Sequence, residues 1–252
     1  MQLPDLPNEA HWFDDSLAVQ RRGDTDPVVA VLGKKFSDLA LVHLCGAPQG
    51  STVVCDVQGW PFDKPDALQE PAIVITASNT EFFGPGVDNL FVVHQDETTK
   101  KLELYIEFMS LRNSWAGHGL ATMMFWRMAR ACLSLKIERV ALYAMGGRTD
   151  KPVSVGGEMR RWTGYDFWPT IGFDGDIPAS AKSFIDSSFP FYPTAVAEQK
   201  RVRDYLELPD GRALWKLCGA PVSECVFEMT PDSDSMLALA KRVKRLFGVD
   251  NV

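Results

Sequence analysis

Apolar residues recur along this chain with two periods, and the two meet in one stretch. Leu120, Met123, Met124, Met128 and Ala131 follow each other at three- and four-residue spacing. That spacing predicts an α-helix with one buried face. Just upstream, residues 102–109 alternate instead. Leu102, Leu104, Ile106 and Phe108 would share one face of a strand, and Glu103, Tyr105, Glu107 and Met109 the other. The apolar run Val140 to Ala144 predicts a second strand after the helix. Between the first strand and the helix lie a loop, Ser110 to Ala116, and two glycines, Gly117 and Gly119.

The same patterns predict the rest. Runs rich in β-branched residues at 27–32, 51–57 and 72–77 predict strands. Residues 89–95 and 101–109 predict an antiparallel hairpin around the polar loop 96–100. Helices are expected at 36–44, 158–163 (ended by Gly164), 178–184, 195–206 and 212–217, with a short strand at 224–229. Asp232, Ser233 and Asp234 offer N-caps for a last helix at 235–247, and Gly248 stands just past its end. The basic residues of that helix read as a solvated face, with a binding patch as the alternative. Gly59, Pro61 and Pro65 mark one loop, and the 82–86 stretch (FFGPG) another, whose aromatics either pack or wall a ligand. Residues 1–26 are polar, proline-bearing and weakly periodic, and are expected to form an N-terminal arm on the surface. Residues 27–252 are expected to form a single domain, with a core at 27–175 and a C-terminal helical extension at 176–252.

Composition narrows the classes. The chain has 252 residues and a net charge of −7, which argues against a nonspecific nucleic-acid binder. No apolar run reaches the length of a membrane span, and the first residues lack the pattern of a secretory signal. The five cysteines lack CxxC spacing and read as reduced core residues of a cytoplasmic protein. The four histidines are scattered, so no metal site is expected.

The chemistry lies at the glycines. The first turn of a helix carries N–H groups without intrahelical partners, and the helix dipole adds positive potential. Glycine there permits close approach of a ligand, and a phosphate suits such a place. A tight strand-to-helix turn with a packing role alone would use glycine too. Neither the dinucleotide fingerprint nor the Walker A pattern fits, and no Gly-x-Ser-x-Gly is present for a hydrolase. The face with Glu103 and Glu107 is either solvated or lines an acceptor pocket, where a partly desolvated carboxylate would gain a raised pKa suited to a general base.

The 114–119 stretch, SWAGHG after a strand ending at Met109, resembles motif A of the GCN5-related N-acetyltransferase (GNAT) family, Arg/Gln-x-x-Gly-x-Gly/Ala. Ser114 stands at the Arg/Gln position. Downstream, the 168–173 stretch (WPTIGF) is similar to the family's closing Tyr-x-x-x-Gly-Phe, with Trp168 at the tyrosine position. The resemblance spans roughly 90–173. It implies an α/β (α+β) fold, a mixed, mostly antiparallel central sheet flanked by helices, here with extra C-terminal helices. It also implies acetyl-CoA as cofactor. Backbone groups around Met109 and Leu111 would pair with the pantetheine arm. The N–H groups of Ser114, Trp115, Ala116, Gly117, His118, Gly119 and Leu120 would hold the pyrophosphate. Direct attack by an amine on the thioester needs a base and an acid. Glu107, then Glu103, are the base candidates, and Tyr165 is the acid candidate, because the indole N–H of Trp168 is a donor but not an acid. The acceptor would be an amine on a small molecule or a protein. The alternative is a non-catalytic binding or scaffold protein on a degenerate acetyltransferase fold.

Overall fold

The computed structural model describes residues 3–22, 35–59, 71–96, 99–189 and 198–249. The strand expected at 27–32, the loop at 60–65 and the first residues of the helix expected at 195–206 lie outside them. The elements are α1 (Glu9–Trp12), β1 (Val19–Arg22), α2 (Asp38–Leu44), β2 (Thr52–Gly59), β3 (Pro71–Ser78), β4 (Asp88–Gln95) and β5 (Leu102–Phe108). They continue with α3 (Leu120–Leu135), β6 (Arg139–Ala144), β7 (Val153–Val155), β8 (Glu158–Arg160), α4 (Gly164–Thr170) and α5 (Ala179–Ser188). The last are α6 (Val202–Glu207), α7 (Gly211–Cys218), β9 (Val222–Glu228) and α8 (Asp234–Phe247).

Among the described residues, seven strands form one sheet in the order β1-β2-β3-β4-β5-β6-β9. β1 runs parallel to β2, and β2–β3, β3–β4 and β4–β5 are antiparallel. The N–H of Glu138 donates to Leu102 O at 3.2 Å, so β5 and β6 start side by side and run the same way. The architecture is thus the mixed, mostly antiparallel sheet with flanking helices that was expected. The chain divides into two compact units: 1–140 with 155–158 and 243–252, and 141–154 with 159–242.

In the first unit, the register places Val53, Cys55, Ile73, Ile75, Ala77, Phe91, Val93, Leu104 and Ile106 on one buried sheet face. Helix α3 is buried almost all round, from Leu120 to Cys132. The turn that follows α2 approaches it so closely that a Cβ on Gly46 would come within 2.9 Å of Met124 O. The opposite sheet face is not simply solvated. It carries a second apolar cluster of Ala72, Val74 and Val92, with Leu90 and Tyr105 packed against it.

One irregularity changes the strand reading. Leu90 pairs with Phe108 and the next residue, Phe91, with Ile106, so Glu107 is the extra residue of a β-bulge. The bulge breaks the two-residue alternation. Phe108 opposes Leu90 and sits on the face of Tyr105, not with Leu104 and Ile106 as simple alternation requires.

The N-terminal arm is built into the unit. Leu3, Leu6 and Phe13 are buried, and residues 19–22 form the edge strand. Phe82 and Phe83 are buried too, so the 82–86 aromatics pack. Asn79 shapes that loop: its Oδ1 accepts from the N–H groups of Glu81 and Phe82, at 3.0 and 3.1 Å.

The first residues of the helix expected at 158–163 are instead strand β8. Gly156 and Gly157, both at positive φ, reverse the chain between β7 and β8. Gly164 opens α4 rather than ending a helix. Pro169 lies inside α4 and cannot donate to Tyr165 O, four residues back. The indole N–H of Trp215 supplies that bond at 2.8 Å.

Candidate functional site

The loop between β5 and α3 is held from several sides within the first unit. Ser110 N donates to Asn89 Oδ1 at 2.9 Å, and Arg112 N to Phe82 O at 2.8 Å. Glu158 clamps the middle: its Oε1 accepts from Arg112 Nε at 2.6 Å and its Oε2 from Asn113 N at 3.2 Å. Trp115 donates its indole N–H to Glu81 O at 3.0 Å and packs against Phe82 and Trp12. A glycine-marked helix start is therefore presented by a pre-organised loop, not a slack one.

Its surface is open. Ser114, Ala116, Gly117 and His118 are exposed, while Met109, Leu111, Trp115 and Gly119 are half-buried and Leu120 is buried. Gly117 and Gly119 have φ of 84° and 80°, the left-handed region that favours glycine. Gly119 is the N-cap of α3 and makes no side-chain cap hydrogen bond. The first-turn N–H groups are thus left without a side-chain cap from Gly119. A Cβ on Gly117 would meet nothing within 4 Å, so the space directly over this residue is open. Two buried polar atoms border the loop without a hydrogen-bond partner: Asn89 Nδ2 and Thr122 Oγ1. Room, donors and exposure fit a pyrophosphate at Gly117 and His118. At Gly119 the Cβ direction is filled by the Phe247 ring, 3.1 Å away.

The candidate acid–base residues have different surroundings. Glu103 is buried, with 5% of its surface exposed. Its Oε2 accepts from Arg139 Nε, and its Oε1 lies 3.2 Å from His94 Nε2. Burial alone would raise its pKa, but the hydrogen bonds and charges of His94 and Arg139 outweigh burial and hold the carboxyl below its ordinary value. The raised carboxylate pKa expected for this face is therefore not found at Glu103, because its bonds to His94 and Arg139 outweigh burial. Glu107 is half-buried at the bulge, close to the strand end. Tyr165 belongs to the second unit and is buried. Its hydroxyl donates to Lys216 O at 3.0 Å, and burial pushes its pKa up. Trp168 packs edge-on against Phe173, with ring centroids 5.1 Å apart.

Sequence reasoning passed over the residues that set this geometry. His94 was within one residue of detection: counting back from the 96–100 loop sets it opposite Leu102, whereas the actual register pairs it with Glu103. Arg139 and Glu158 carry no local signal: they lie 36 and 46 residues from Glu103 and Arg112. Among the described residues, no group of three or more His, Cys, Asp or Glu could hold a metal ion. None of their helices is long and apolar enough to cross a membrane. No protein-family model, curated protein or solved structure matches this chain.

Proposed function

We propose that the protein is an acyl-CoA-dependent N-acetyltransferase of the GCN5-related kind, moving an acetyl group from acetyl-CoA to an amine. The observation that carries this reading is the strand–helix–strand unit β5–α3–β6. Its two strands start side by side, and its helix opens on two positive-φ glycines, of which Gly117 is exposed with open space over it. The N–H groups of Gly117, His118, Gly119 and Leu120 would hold the pyrophosphate. The backbone around Met109 and Leu111 would pair with the pantetheine arm. The cofactor supplies an acetyl group activated as a thioester. Glu107 takes the proton that the attacking amine must lose. Tyr165 remains the candidate proton donor to the departing thiolate.

A second reading, a non-catalytic binding protein on the same scaffold, is favoured by specific observations. Glu103 is sequestered by Arg139 and His94, and the Tyr165 hydroxyl is spent on a backbone carbonyl. Calorimetry with acetyl-CoA and with CoA tests the shared step. Saturable binding of both supports the proposed cofactor. Turnover against a panel of amines, read by thiol release, then separates enzyme from binder. Absence of binding to either compound removes both readings.

A further inference from the structure

The first unit contains a groove of 580 Å³ far from the helix start. It lies between the N-terminal arm, α2 and the last turns of α3. Its volume is in the range of small-molecule sites. The larger apolar side chains are Leu3, Leu39, Leu133 and Leu135, of which Leu39 is 44% exposed. Ser37 and Ser134 add hydroxyls. The remaining polar groups are Asp5, Asp15, His43 and Arg130.

Their pairings decide what the groove can hold. Arg130 is already engaged by Asp5 and Glu9. His43 donates or accepts through Nε2 to Asp15 Oδ1 at 2.9 Å, and Asp15 Oδ1 also accepts from Arg127 at 2.5 Å. Burial, reinforced by Arg127 and Arg130, keeps the imidazole below its ordinary pKa and favours its neutral form. Both carboxylates are ion-paired through Oδ1, Asp5 with Arg130 and Asp15 with Arg127, yet their side chains stay 90% and 59% exposed, which leaves the Oδ2 side of each to a ligand. With the ion-paired neighbours Glu9 and Arg127 counted in, three acids (Asp5, Glu9, Asp15) stand against two arginines (Arg127, Arg130), a net charge of −1 with His43 neutral. Leu133, Ser134 and Leu135 form the C-terminal turn of α3, where the helix dipole favours a cation. The opposite helix start is already capped, since Ser37 Oγ accepts from Ala40 N at 3.2 Å.

From this charge balance and apolar lining we infer that the groove is a second ligand site, for an amphipathic ammonium: a cationic head on an aliphatic stem. The head sits against Asp15 and Asp5, and the stem lies along Leu39, Leu133 and Leu135. The groove is separated from Gly119 by about 22 Å of helix at 1.5 Å per residue, so its occupant is not the acceptor at the helix start. The inference stands whether or not acetyl-CoA binds.

The test uses the full chain with n-hexylammonium, n-hexanol and n-hexanoate as probes. Methyl NMR shifts report the place, and calorimetry the affinity. The expected result is saturable hexylammonium binding, at least tenfold tighter than for the other two probes. The leucine shifts should be confined to Leu3, Leu39, Leu133 and Leu135. Asp15→Asn should weaken it about tenfold, equivalent to about 1.4 kcal/mol. Asp5→Asn, at an exposed residue that leaves the fold intact, should weaken it in the same direction. Hexanoate binding as well as hexylammonium, shifts elsewhere, or unchanged affinity in Asp5→Asn would each overturn the inference. So would an absence of saturable binding at millimolar probe.

Discussion

Gly117 and Gly119 both have positive φ, yet they make unequal probes of the proposed cofactor site. A Cβ on Gly117 meets open space, whereas one on Gly119 meets the Phe247 ring at 3.1 Å. Gly119→Val therefore mixes loss of a ligand contact with displacement of α8. Gly117→Ala costs about 1–2 kcal/mol of backbone strain without touching a neighbour. It should weaken acetyl-CoA binding at least tenfold, about 1.4 kcal/mol. Calorimetry on a variant with native circular dichroism checks this, and unchanged affinity would exclude the loop as the phosphate site. Glu107 and Tyr165 are tested on turnover. Glu107→Gln removes basicity and should lower turnover by about 10²-fold or more with acetyl-CoA affinity nearly unchanged. Tyr165→Phe should act likewise, although it also releases Lys216 O from its hydrogen bond. Normal rates in both variants would take the two residues out of the mechanism. Glu103 is the poorer base at this scale, because its carboxylate already neutralises Arg139.

At the scale of elements, period alone made most of the molecule readable. Helix α3 occupies the stretch that the Leu120–Ala131 spacing indicated, and β2 to β6 and β9 lie within a few residues of their expected places. What period could not show was the bulge, because one extra residue leaves the local composition unchanged and only re-aims Phe108. Nor did it expose the β7–β8 turn, although the Gly156-Gly157 pair between two short runs carries the hairpin signal. The burial of α3 gives a direct test of register. Met124 is fully buried, close under Gly46. Met124→Asp would place an uncompensated charge there and should cost about 3 kcal/mol or more. Urea unfolding reads the loss, and a normally stable variant would contradict the helix register.

For the molecule as a whole, the least legible feature is the arm. Residues 3–22 look polar and loosely patterned, but several of their partners lie more than a hundred positions away. Trp126 donates its indole N–H to Pro4 O at 2.8 Å. Arg127, with its side chain 4% exposed, bonds Glu9 at 2.7 Å and Asp15 at 2.5 Å and lies over the Phe13 ring. No local period encodes an ion pair across such a separation. The arm's attachment should be pH-sensitive through His43, which bonds Asp15 from α2. Burial is the main cause of its depressed pKa, and the charges of Arg127 and Arg130 add to it, against the pull of Asp15. The sign follows from linkage. Below about pH 6.5, the ordinary histidine value, the unfolded chain binds a proton that the folded chain refuses. Stability should therefore fall as pH drops through that value, until His43 is protonated in the fold as well. Asp15, whose pKa is lowered by its bonds to Arg127 and His43 despite the opposing effect of burial, loses its contribution only in a lower window, as pH falls below about 4. Urea unfolding at about pH 7.5 and about pH 5.5 measures the first window alone. His43→Gln keeps a polar side chain but cannot titrate, so its stability should vary less between those two pH values than that of the parent chain. An equal pH dependence in the two proteins would show that His43 is not the group that couples the arm to protons.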